Sequence, residues 1–120
     1  MMTPWILAAL LLYVIQTLLP VTFRYRGSPA SMSARDVMPE ATRLVGRAER
    51  ALVNVGEAMM VFLPLAILAR DQPAAVLGAQ LFLVARVVYV PLYLAGVAYW
   101  RTAVWVLSLV GLGLIARTLL

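Results

Sequence analysis

The chain has 120 residues, of which 64% are hydrophobic and 12% charged, with a net charge of +5 at neutral pH. That balance lies far from the composition of soluble domains, and the bilayer is the expected solvent. All ten basic residues are arginine, and lysine, histidine and cysteine are absent. This excludes disulfides, catalysis by a protein thiolate and the usual zinc ligand sets, so no metal is expected. The arginines are interleaved with apolar segments, which excludes nucleic acid as an expected partner.

A spanning helix takes about 20 mostly apolar residues. Four spans with short connections therefore use the whole length, giving one all-α integral membrane domain, a four-helix bundle over 1–120. The first span is expected at 3–22. It carries no charged side chain, and without a basic leader or a small-residue cleavage site it reads as a retained span, not a removable signal. From Phe23 to about Pro39 the chain holds Arg24, Arg26, Gly27, Ser28, Pro29, Ser31, Ser33, Arg35 and Asp36, a loop composition.

The second helix is expected over 41–69, entered near Pro39 or Glu40, because proline suits a first helical turn and a carboxylate there complements the helix dipole. Arg70-Asp71-Gln72-Pro73 reads as a tight turn into a third helix over 73–95. Gly96 and the pair Tyr99-Trp100 mark an interface, and Arg101 closes the connection. The fourth span is expected over 102–120, where Gly111 and Gly113 allow a neighbouring helix to approach closely.

Arginine asymmetry sets the orientation. The first loop and the entry to the second helix hold Arg24, Arg26, Arg35, Arg43, Arg47 and Arg50, against Arg70 alone in the next turn. Short cytoplasmic loops retain positive charge, so the first loop is expected in the cytoplasm and both termini outside, in a bacterial inner membrane. Membrane lipids are expected partners of the loop arginines.

Arg43, Arg47, Arg50, Asn54 and Glu57 recur at spacings of four, three, four and three, which puts them on one face of the second helix. Glu57 lies roughly 15 Å deeper than Arg47 at 1.5 Å per residue, and Arg86 roughly 13 Å in from the end of the third helix. Both are expected in the bundle interior with partners, since an unpaired charge at that depth costs at least about 2.5 to 3.5 kcal/mol. Tyr89 and Tyr93 share the face of Arg86. Arg47, Arg50, Asn54, Glu57, Arg86, Tyr89 and Tyr93 together suit a small zwitterionic ligand carrying carboxylates and an amine. Beside Arg86 a bound thiol would lose its proton more readily, and the sulfur would have to arrive with the ligand. The competing reading has Glu57 and Arg86 pairing only with each other and Asn54 bonding between helices, as packing.

Arg47-Ala48-Glu49-Arg50-Ala51-Leu52-Val53-Asn54-Val55-Gly56-Glu57, with Ala85-Arg86-Val87-Val88-Tyr89 and Pro91-Leu92-Tyr93, resembles the MAPEG family, the membrane-associated proteins in eicosanoid and glutathione metabolism, in its compact bacterial branch. The resemblance implies a homotrimer of four-helix subunits that binds glutathione between neighbouring subunits near the cytoplasmic side. Arg50, Asn54 and Glu57 would contact glutathione, Tyr89 and Tyr93 would add further contacts, and Arg86 would be the catalytic arginine stabilising the thiolate. Leu52 stands where several microsomal glutathione transferases have histidine, and the first loop departs from that of the eicosanoid synthases. The implied function is a glutathione transferase or peroxidase acting on lipophilic small molecules. The alternatives are a non-catalytic protein of the same fold and a small proton-coupled exporter. Exporters of that kind carry their glutamate in the first span, which here has no charge.

Overall fold

Helices α1 (Thr3–Tyr25), α2 (Arg43–Leu68), α3 (Ala75–Leu94) and α4 (Ala98–Arg117) account for most of the residues that the computed structural model describes, which are 1–26 and 42–120. No strand occurs among them. Each helix is long and apolar enough to cross a membrane. Helices satisfy their backbone polar groups internally, which hydrocarbon requires. The fold is an all-α membrane four-helix bundle.

The helix ends differ from the sequence expectation in ways that matter for the site. Helix α1 continues past Thr22 to Tyr25, which puts Arg24 on its last turn, where a cation complements the helix dipole. Arg26 then terminates it in left-handed backbone, φ 49°, with its N–H bonded to Thr22 O at 2.8 Å. The expected entry to α2 at Pro39 or Glu40 lies outside the described residues. Helix α2 begins at Arg43, and the Thr42 hydroxyl accepts from the Val45 N–H at 3.3 Å as its N-cap. Pro73 falls in the turns of 69–74 and does not open α3.

The largest change is at α4, which starts at Ala98 and not at Thr102. Gly96 has φ 76°, a conformation that glycine adopts without steric cost, so the chain reverses within 95–97. Tyr99 and Trp100 are exposed on the first turn of a helix, not in a loop. Arg101 consequently lies inside α4.

Helices α1 and α2 run in opposite directions. A Cβ added to Gly56 would lie 3.6 Å from Tyr13 Cε2, and towards the arginine-rich end Arg24 Nη2 donates to Glu49 Oε1 at 2.7 Å. Helices α2 and α3 meet through the stacked rings of Phe62 and Phe82, 4.4 Å between centroids and 7° between planes. Helices α3 and α4 touch backbone to backbone: a Cβ on Gly78 would lie 2.6 Å from Gly111 O, and one on Gly111 would lie 2.7 Å from Gly78 O. Between helices in lipid, close packing of this kind replaces the hydrophobic drive that operates in water. The approach expected at Gly111 is thus made within the subunit, whereas a Cβ on Gly113 would meet nothing within 4 Å. Val55, Met59, Phe62, Ala66, Ala79, Phe82 and Ile115 fill the core, while Leu7, Leu11, Met60, Leu68 and Leu77 face outward, as a lipid solvent favours.

Candidate functional site

The backbone turn at Gly96 folds the start of α4 back beside the end of α3, and the polar face of α2 looks across at both. Between them lies an open cleft of about 730 Å³. Glu49, Arg50, Val53, Asn54 and Glu57 line it from α2, Tyr89 and Tyr93 from α3, and Arg101, Thr102 and Trp105 from α4. Five of the sequence-derived candidates, Arg50, Asn54, Glu57, Tyr89 and Tyr93, are therefore brought together on one surface.

Arg86 and Arg47 are placed elsewhere. Arg86 is 1% exposed and lies behind the cleft wall. Its Nη2 donates to Asn54 Oδ1 at 2.8 Å, and its Cζ lies 4.4 Å from the centroid of the Tyr89 ring, a cation–π distance. Because a guanidinium only donates, this bond fixes which end of the Asn54 amide is oxygen, and the NH2 group is left to serve as a donor. Arg47 is a backbone clamp: its Nη1 donates to Leu94 O at 3.2 Å at the end of α3. A Cβ on Gly96 would lie 2.6 Å from Arg47 Nη2, so the clamp depends on glycine there.

Glu57 departs from its expected position. It is exposed, and among the described residues no ion pair joins it to Arg86. The face of α2 that carries Arg50, Asn54 and Glu57 opens onto the cleft, not onto the packed interior. Asn54 does bond between helices, as the packing reading expected, but to Arg86.

The α4 wall was not legible as part of a site. Arg101 Cζ lies 4.7 Å from the centroid of the Tyr93 ring, and the Tyr93 and Tyr89 rings are 5.4 Å apart and tilted by 58°. The order Arg86, Tyr89, Tyr93, Arg101 thus alternates a buried cation, two rings and a second cation that lines the cleft. Arg101 and Trp105, at a spacing of four, share a helical face. That spacing is visible in the sequence only when Arg101 is taken as helical and not as the close of a connection. Glu49 also lines the cleft, with its charge matched by Arg24.

A sequence model of the MAPEG family matches residues 2–120, essentially the whole chain. The chain belongs to the MAPEG family. Comparison with curated proteins and with solved structures gave no match. With four membrane-crossing helices and this family assignment, the MAPEG chain is an integral, multi-pass membrane protein. The cleft lies at the end of its bundle that bears the α1–α2 connection, where Arg24 and Arg50 also gather. Among the described residues no group of His, Cys, Asp or Glu could hold a metal ion.

Proposed function

We propose that this MAPEG protein is a membrane-bound transferase or peroxidase that uses glutathione against lipophilic electrophiles. The observation that carries the reading is the cleft itself. It presents Arg50, Arg101, the Asn54 amide and the carboxylate of Glu57 on one open surface reaching into the membrane-spanning region. Glutathione has two carboxylates, an α-ammonium and a thiol. Guanidinium forks suit the carboxylates, and Glu57, which has no cation paired with it among the described residues, suits the ammonium.

Glutathione supplies the sulfur nucleophile that the chain lacks. Of Arg86 and Arg101, Arg101 is the one that lines the cleft, so in this reading Arg101 and not Arg86 stabilises the thiolate. A cation beside sulfur favours the charged form, and the thiol proton leaves to water at the open cytoplasmic rim. Arg86 holds Asn54 and Tyr89 in place from behind. Val53 and Trp105, exposed on opposite walls, give an apolar approach for an electrophile dissolved in the bilayer.

An exposed carboxylate and two arginines facing lipid would be costly in a lone subunit. A neighbouring subunit closing over the open side of the cleft removes that cost, in keeping with a homotrimer that holds glutathione between subunits. The first loop is cytoplasmic and both termini are outside in this arrangement. The packing reading is favoured by one observation, the Arg86–Asn54 bond, which joins two helices whether or not a ligand binds. Calorimetric titration of the detergent-solubilised protein with glutathione separates the two. Saturable binding supports the proposal, and its absence in several detergents and in lipid nanodiscs would leave packing as the role of the polar residues.

A further inference from the structure

Two buried side chains, complementary in chemistry, each carry atoms without a hydrogen-bond partner. Gln16 is 2% exposed, and its Oε1 accepts no hydrogen bond; Arg86 Nε and Nη1 are buried and donate none. Burying a polar group without a partner in a low-dielectric interior is unfavourable, and one orphan is an acceptor while the other two are donors.

Their depths agree. Tyr13 packs against Gly56 on the antiparallel α2, so Gln16 is level with Val53, one residue from Asn54, and Asn54 is bonded to Arg86. Gln16 also belongs to the inward seam of α1: Met2, Ala9 and Gln16 recur at intervals of seven and are all buried, the spacing of a seam that packs against neighbouring helices. Helix α1 touches α3 as well as α2. On that seam Gln16 replaces the apolar residue that the rest of the stripe would call for.

We infer that Gln16, Asn54 and Arg86 form one polar layer across α1, α2 and α3, in which Gln16 Oε1 accepts from the free N–H groups of Arg86 through one bridging water. Gln16 is then a positioning residue. It holds the guanidinium, the guanidinium holds the Asn54 oxygen, and the Asn54 NH2 is presented to the cleft. The layer also accounts for a buried arginine that has no carboxylate beside it among the described residues, since a guanidinium with all its N–H groups bonded is far less costly than one with two left bare. Its effect on ligand binding rests on the glutathione reading above; the layer itself does not.

The test uses the full chain in lipid nanodiscs, labelled with 15N-arginine, with the Arg86 Nε–H signal assigned by its loss in Arg86→Lys. Gln16→Leu should move that signal, and Gln16→Glu, which keeps an acceptor, should restore hydrogen-bonded behaviour. Gln16→Leu should also weaken glutathione about three- to ten-fold, the size of one lost hydrogen bond, as a rise in KM with kcat held. Thermal unfolding of Gln16→Leu, Arg86→Leu and the double variant gives a second, function-independent reading, because coupled residues lose less together than the sum of their separate losses. An unmoved Arg86 signal, or additive stability losses, overturns the layer. A moved signal with unchanged glutathione affinity overturns the positioning role alone. Failure of the parent to bind glutathione would refute the proposed function, while the signal and the thermal cycle would still decide the layer.

Discussion

Arg86 on α3 donates to Asn54 on α2 across 2.8 Å, and this bond, not an ion pair with Glu57, is what the buried arginine makes. It divides the polar residues of the bundle into two sets. One set holds helices together, the other lines a cleft open to a ligand, and Asn54 belongs to both.

Asn54→Leu should expose that division. It strips Arg86 of its bonded partner and leaves a buried charge, so stability should fall by about 1.5 to 3 kcal/mol, the value of a hydrogen bond to a charged group. Chemical unfolding in mixed micelles of sodium dodecyl sulfate would measure it. A loss below about 0.5 kcal/mol would mean that the bond contributes little to the fold.

Arg101→Ala should leave the fold nearly intact and lower turnover with a model electrophile on the order of 100-fold, the usual effect of removing one donor aimed at developing charge. The apparent pKa of bound glutathione, read from thiolate absorbance, should rise, because the cation favours the charged sulfur. Activity that needs more alkaline buffer than the parent is the expected signature. Arg86→Ala producing this change while Arg101→Ala does not would reverse the assignment of roles.

Glu57→Gln removes a charge with no cation paired to it among the described residues, so thermal stability should hardly change. Glutathione affinity should drop by about 1.5 to 3 kcal/mol through loss of the charged contact to the α-ammonium. A glutathione analogue lacking that amine should bind parent and variant alike. Calorimetry on the four combinations provides the check.

Gly96→Ala should destabilise the protein by about 1 to 3 kcal/mol, because its φ of 76° strains any side chain and a Cβ would lie 2.6 Å from Arg47 Nη2. Arg47→Ala should recover part of the steric loss but none of the backbone strain. The double variant measured by thermal unfolding separates the two.

The open cleft, with the homotrimer that the family resemblance implies, predicts an assembly. Mass measurement in mild detergent, with bound detergent subtracted, should give three copies, and cross-links introduced near Glu57 should join copies and be slowed by glutathione. A monomer in every mild condition would remove the basis for a site shared between subunits.

Much of this was legible from the residues. Apolar blocks of spanning length fixed the four helices, and the four-three periodicity of Arg50, Asn54 and Glu57 placed them on one face of α2. Depth along the helix put Glu57 level with Arg86, but the partner of Arg86 is Asn54, one turn short of Glu57 on the same face of α2. What periodicity could not give was how far along α3 the cleft extends: on the one face shared by Arg86, Tyr89 and Tyr93, Arg86 is buried behind the wall while the two tyrosines line it. The start of α4 at Ala98 differs from the expected Thr102 for another reason. Tyr99, Trp100 and Arg101 have the composition of a membrane interface, and interface residues occupy a helix end as readily as a loop. Gly96 was the informative residue, because one glycine with positive φ makes a long connection unnecessary.

The backbone contact between Gly78 and Gly111 has a mechanical consequence. With backbone against backbone at that crossing and only the Ile115 side chain beside it, α3 and α4 have little side-chain layer to rearrange, and they act as a single stiff stave. That stave carries Tyr89, Tyr93, Arg101, Thr102 and Trp105, whereas Glu49, Arg50, Val53, Asn54 and Glu57 belong to α2. The two walls of the cleft therefore belong to two bodies, tied to each other by the Arg86–Asn54 and Arg47–Leu94 bonds. A ligand gripped at both Glu57 and Arg101 would act as a clasp between them, so occupancy should be felt as stiffness along the α2 boundary and not within the α3–α4 pair.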